Sequence, residues 1–208
     1  MSSPRDIVWA PDGSAGAVAG HLARVIANNP NATIAVPGGS TPLPIFEELA
    51  ASDLDWSGVT LMLGDDRIVE PGHPASNQAK LDGAFCATQA DIRALEEGMD
   101  VPELDLLWLG MGTDGHIASI FPAMDAQDLP GRRVIRTEPI PLPPEAPFPR
   151  LSMNMEALSG AAREIILVIR GDEKKELVRA AQSAEGDLPI TQLFARAQCP
   201  ITIYWSGS

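Results

Sequence analysis

Three polar stretches carry residues able to do chemistry, and each follows an apolar run. Pro37–Pro42 reads PGGSTP, Gly64–Arg67 reads GDDR, and Gly110–His116 reads GMGTDGH. In the first, Gly38 and Gly39 let the backbone come close to a ligand, and the hydroxyls of Ser40 and Thr41 can donate to anionic oxygens. The amides of a helix beginning just beyond would point the same way. That is a phosphate cradle without a Walker-type lysine, although Gly-Gly-Ser-Thr is also ordinary turn chemistry. In the third stretch, Asp114 and His116 stand two residues apart. An imidazole titrates near neutrality, which suits acid–base work. The aspartate can hold the ring, shape the turn with its own side chain, or do both.

The third stretch also contains Gly110, Gly112 and Gly115, a G-x-G-x-x-G pattern. A dinucleotide-binding turn needs a long helix after the last glycine and an acid near the end of the next strand. Glu138 is available as the acid, but HIASIF spans fewer than two helical turns before Pro122. Asp114 would also stand where a pyrophosphate must approach. The sequence therefore favours a site built on Asp114 and His116, with a purely structural turn as the alternative. A serine-hydrolase elbow requires G-x-S-x-G, whereas Gly38, Ser40 and Pro42 give G-x-S-x-P.

The elements that must position these stretches alternate between strand and helix. Strands are expected at Asp6–Ala10, Ala32–Val36, Val59–Leu63, Leu104–Leu109, EIILVIRG and PITIYW, with RRVIRTE as an edge strand and RLSMNM extended. Helices are expected after a Ser14 cap, from Pro42, near Ala75–Ala84, over Asp172–Ala184 with Asp172 as the cap, and over LPITQLFARA. PIPLPPEAPFP holds six prolines and is expected to be irregular. Alternation of this kind predicts an α/β fold, doubly wound, with a mostly parallel sheet and helices on both faces. Residues 1–208 read as one domain. Ligands in such folds sit at the carboxyl ends of strands, so all three polar stretches can open onto one crevice.

Net charge is −13, which argues against a nucleic-acid surface but not against a small anionic ligand, because binding follows the local field. Cations are scarce, with lysines only at Lys80, Lys174 and Lys175. No apolar run approaches a membrane span, and the N-terminus has no signal-peptide core. Cys86 and Cys199 are expected to be buried thiols in a reducing compartment, and the chain to be cytoplasmic. Neither cysteine, nor His21, His73 or His116, has metal-ligand spacing, so no metal is expected. His21 reads as a surface or half-buried helical residue.

Taken together, the stretches resemble the 6-phosphogluconolactonases, a family within the wider group that includes the glucosamine-6-phosphate deaminases. The likeness runs from Ala32 to Ile203. PGGSTP resembles the family's phosphate loop. LGDDRIVEPGHPASNQ resembles its Asp-Glu-Arg motif with a downstream Ser-Asn, here Ser76 and Asn77. LGMGTDGHIASIFP resembles its most specific signature, and RLSMNM and GDEKKEL its later elements. Arg67 and the Ser119–Pro122 stretch are lactonase-like, whereas Ile117 follows the deaminase pattern. Other departures are Asp66 in place of Glu, an RLSMNM without the usual threonines, only 26 residues between Asn77 and Leu104, and a chain end close after the last strand.

The resemblance implies hydrolysis of 6-phospho-D-glucono-1,5-lactone to 6-phosphogluconate, in the pentose phosphate pathway, without cofactor or metal. It implies His116 as the base that activates water and Asp114 as its partner. Arg67 would bind phosphate or steady developing negative charge, and Asp65 would orient Arg67 or the sugar hydroxyls. Gly38, Gly39, Ser40, Thr41, Arg150 and Lys174 would bind the phosphate. A cation at the start of a helix, such as Lys174, opposes the helix dipole unless an anion sits there. His73 is a candidate for the rim. The expected partner is a small sugar phosphate, with no nucleic acid or membrane, and the expected state is a monomer or weak homo-oligomer. The alternatives are an aminosugar-phosphate deaminase or isomerase and a non-catalytic sugar-phosphate sensor.

Overall fold

The computed structural model describes residues 6–122, 124, 130–138, 147–183 and 186–207. Most of the proline-rich segment expected to be irregular lies outside them. In chain order the elements are β1 (Ile7–Trp9), α1 (Ala15–Asn28), β2 (Thr33–Val36), α2 (Leu43–Ala50), β3 (Thr60–Leu63), β4 (Asp65–Arg67), α3 (Asn77–Phe85), β5 (Asp91–Arg93), β6 (Leu106–Leu109), β7 (Val134–Thr137), β8 (Arg150–Met153), α4 (Met155–Gly160), β9 (Ile165–Arg170), α5 (Asp172–Ser183), α6 (Pro189–Arg196) and β10 (Ile201–Ser206).

Seven strands form one parallel sheet in the order β1-β10-β9-β6-β2-β3-β5. Its central strands are continuous apolar runs because both faces are covered. The period-two alternation sorts their side chains. Leu106 and Trp108 join Ile34, Val36, Leu61 and Leu63 under α1, α2 and α3. Leu107 and Leu109 join Ala35, Met62 and Leu167 under α4, α5 and α6. The expected doubly wound sheet with helices on both faces is the observed one.

The small antiparallel sheet β4-β8-β7 was not foreseen as a unit. The chain leaves the parallel sheet at Gly64, whose carbonyl accepts from the Met153 amide at 2.9 Å. GDDR thereby becomes a strand instead of a loop. Its partner is RLSM, and RRVIRTE supplies the edge strand as expected.

HIASIF, read as too short for the long helix of a dinucleotide turn, forms no helix at all. It is a tight reversal with bridges between Met111 and Ile117 and between Ile117 and Ile120, and Ala118 has φ 47°. The reversal buries Ile117 and Ser119 completely, which a short helix before Pro122 would not do. Asp172 is the first helical residue of α5, not its cap. Gly171 precedes it at φ 83° and accepts from the Lys175 amide. Cys199 is buried, and burial pushes its thiol up to about 11. Cys86, expected to be buried, is exposed at the end of α3. Ser14 does cap α1, accepting from the Ala17 amide at 3.2 Å. Among the described residues, no helix is long and apolar enough to cross a membrane.

Candidate active site

The carboxyl ends of β2, β3, β6 and β9 surround a cleft of about 530 Å³. All three polar stretches reach it. Gly38, Gly39, Ser40 and Thr41 form one wall, Asp65 and Arg67 another, and Gly110, Gly112 and His116 a third. Arg150 and Lys174 line it as well. Asp114 stands behind His116.

The glycine loop closes β2 and leads into α2, which begins after Pro42 and carries Pro44 in its first turn. Proline suits that position because the first amides of a helix have no internal partner. Gly39 has φ 95°, a left-handed conformation that strongly favours glycine. Gly38 is required for a different reason: a Cβ there would sit 1.8 Å from the Asn77 side chain. Ser40 and Thr41 are exposed at the mouth.

The β4–β8 pairing builds the cationic wall. Arg67 and Arg150 are direct cross-strand partners. Like charges placed opposite each other are unfavourable unless something neutralises them. Asp65 supplies part of that compensation from the same strand. It is buried, and its Oδ2 accepts from the Ser119 hydroxyl at 2.6 Å. Burial pushes its carboxyl above the usual carboxylate range, while Ser119, Arg67 and Arg150 pull it back. Asp66 faces the other way and organises the start of α3. It accepts from the amides of Asn77 at 2.7 Å and Gln78 at 3.0 Å.

The GMGTDGH turn makes a dyad. His116 Nδ1 lies 2.6 Å from Asp114 Oδ1, which also accepts from the His116 amide at 3.1 Å. Asp114 is thus both turn former and ring partner. The carboxylate can only accept, so Nδ1–H donates to it and Nε2 of the neutral ring carries the lone pair. The glycines explain themselves one by one. A Cβ on Gly112 would lie 2.2 Å from the imidazole, and Gly115 has φ 83°. Gly112 makes room for the dyad rather than for a pyrophosphate. With no helix following, the dinucleotide reading has no amide cluster to use. Phe121 stacks on His116 at 4.4 Å between centroids, and the Arg150 guanidinium lies 5.3 Å from the Phe121 ring.

Lys174, in the first turn of α5, is half-buried, and burial lowers its pKa against the pull of Asp114 and Glu173. His73 does not reach the cleft. Its Nδ1 accepts from the Ala75 amide at 3.0 Å, and its ring meets Phe148 edge-on. Sequence reasoning assigns no role to Asn77 and Arg170, which line the cleft, or to Ser119 and Phe121, which back it through Asp65 and His116. Asn77 stands in the PASNQ stretch and Ser119 and Phe121 in HIASIFP, and those motifs are the available signal. Arg170 ends the apolar run of β9, and only the sheet order places it at the cleft.

Fold and site together define a doubly wound α/β protein whose strand ends open onto a cleft lined by a histidine, three arginines and a glycine loop. Comparison with known proteins narrows this. The family model described as glucosamine-6-phosphate isomerases/6-phosphogluconolactonase matches residues 12–96 and 81–205. A 6-phosphogluconolactonase of Rhizobium meliloti is 35% identical, with 91% of this chain and 90% of the relative covered. One from Pseudomonas putida is also 35% identical, covering 90% and 85% respectively. A 6-phosphogluconolactonase crystal structure from Shewanella baltica superposes with TM-score 0.78 at 26% identity, with 100% of both chains covered. The chain belongs to the glucosamine-6-phosphate isomerase/6-phosphogluconolactonase family.

Proposed function

We propose that this chain is a 6-phosphogluconolactonase, hydrolysing 6-phospho-D-glucono-1,5-lactone to 6-phosphogluconate in the pentose phosphate pathway, with residues 1–208 acting as one catalytic domain. The observation that carries the reading is the His116–Asp114 dyad in the same cleft as the Arg67–Arg150 pair and the glycine loop. The substrate needs that combination: a base for water at one end and cations for a phosphate dianion at the other. The 6-phosphogluconolactonase relatives support the choice of lactone.

His116 Nε2 takes a proton from water as its oxygen attacks the lactone carbonyl. Asp114 fixes the tautomer and favours the imidazolium that forms. Negative charge gathers on the carbonyl oxygen and is met by the cationic wall. The tetrahedral intermediate then collapses, the ring C–O bond breaks, and the ring oxygen recovers the proton from His116. The Gly38–Thr41 loop, Lys174 and one or both arginines hold the phosphate. Asp65 keeps the guanidinium groups oriented. Ile117, the deaminase-like position, is fully buried in the core and has no contact through which to select a substrate.

The test is acid release from freshly prepared 6-phosphogluconolactone, corrected for spontaneous hydrolysis. Wild-type turnover far above background is expected. A wild type that leaves the lactone at background rate and instead releases ammonia from glucosamine-6-phosphate would replace this reading with the deaminase.

A further inference from the structure

Asn77 is 3% exposed, yet it lines the cleft. Its Oδ1 accepts from the Gly39 amide at 3.0 Å and from Arg67 Nη1. Both partners are donors only, so the carbonyl oxygen must face them, and the hydrogen-bond network assigns the orientation of the carboxamide. Nδ2 is consequently turned toward Gly38. A Cβ on Gly38 would lie 1.8 Å from it. Among the described residues no acceptor takes the two Nδ2 hydrogens. The residue is also rigidly held. Its amide and that of Arg67 both donate to Asp66 Oδ1 at 2.7 Å, and Ser76 caps the helix that begins with Asn77.

We propose that Asn77 is a phosphate-binding and positioning residue, tying the glycine loop to Arg67 through Oδ1 and presenting Nδ2–H to the phosphate monoester of the substrate. The proposal rests on the lactonase reading of the cleft. It also accounts for Asp66: that carboxylate holds Arg67 and Asn77 side by side. Two donors from the polarised amide then add to the loop amides without adding charge to a wall already crowded with cations.

Asn77→Asp separates the two roles. An aspartate still accepts from Gly39 and Arg67, and an acid in the first turn suits the dipole of α3, so the tie and the fold persist. The NH₂ donors are lost and a negative charge faces the phosphate. Binding of inorganic phosphate is measured directly by calorimetry, and KM and kcat are measured for the lactone. Asn77→Asp is expected to weaken phosphate binding and raise KM by roughly 10- to 100-fold, with a much smaller fall in kcat. Asn77→Ala is expected to weaken phosphate binding too and, through the untied loop, to lower kcat as well. Wild-type phosphate affinity in Asn77→Asp, with loss only in Asn77→Ala, would leave a structural tie and overturn the assignment. So would a wild type that binds no phosphate. A wild type that binds phosphate through Asn77 but does not turn over the lactone would sink the lactonase and keep the inference.

Discussion

Two histidine–carboxylate pairs lie in different regions of the described residues, and only one opens onto the cleft. His116 meets Asp114 at 2.6 Å, and His21 meets Glu164 at 3.0 Å. His116 spends one ring nitrogen on its carboxylate, is 31% exposed, and faces the cleft. His21 spends both, one on Glu164 and the other on the Tyr204 hydroxyl at 2.8 Å, with a side chain only 11% exposed. The first pair is made within a turn, two residues apart. The second joins α1 to the β9 and β10 side of the sheet across long stretches of sequence. A histidine beside an acid is therefore not a catalytic signature. A ring nitrogen without a partner among the described residues, and a cavity for it to face, are what distinguish the proposed base from the clamp.

The largest expected effect tests that distinction directly. His116→Ala should lower lactone turnover by about 10²–10⁴-fold, with an unchanged melting temperature, while His21→Ala should keep near-wild-type turnover. Equal loss in both would break the comparison. Asp114→Asn comes next, with a loss on the order of 10- to 100-fold from a misaligned ring. Survival of full activity would demote Asp114 to a turn former.

The structural pair should show itself in stability. His21→Ala leaves Glu164 and Tyr204 without their shared partner and should cost about 1–3 kcal/mol, read as a fall in melting temperature. Asp65 should behave in the opposite sense. Its folded pKa is raised, so its charged form penalises the folded state. The penalty is complete above the raised value and absent below the ordinary 3.8. Asp65→Asn should thus melt at or above wild type at pH 7, lose that advantage as pH falls into this window, and turn over poorly. A clear drop in stability at pH 7 would recast Asp65 as structural. The smallest effect concerns the thiols. Glu164 also helps hold Cys199 protonated up to about pH 11, so a thiol reagent at pH 8 should modify Cys86 alone in the native protein. Rapid labelling of both would show that the His21 region opens.

How much of the site could be read in advance follows from the range of its contacts. The dyad and the glycine loop were legible because each is completed within a few residues by a turn whose geometry glycine and aspartate dictate. Ser119 was not, since its hydroxyl matters only once the Ala118 reversal brings it to Asp65, 54 positions away. The role of Asn77 is not legible in its motif because its carboxamide oxygen accepts from Gly39, 38 positions distant. The reversal after His116 has a tertiary cause that no local pattern announces: it buries Ile117 and Ser119 on different neighbours.

By itself, the sequence determined the alternation of strand and helix and the places where chemistry interrupts apolar runs. These depend on hydrophobic periodicity and on residues with narrow backbone preferences, both local quantities. The tertiary structure alone decided that Gly64 switches sheets, that Arg67 lies opposite Arg150, and which of the two carboxylate-paired histidines keeps a nitrogen without a partner among the described residues. Those outcomes depend on contacts between distant segments, and the cleft exists only where the sheet order brings the ends of β2, β3, β6 and β9 side by side.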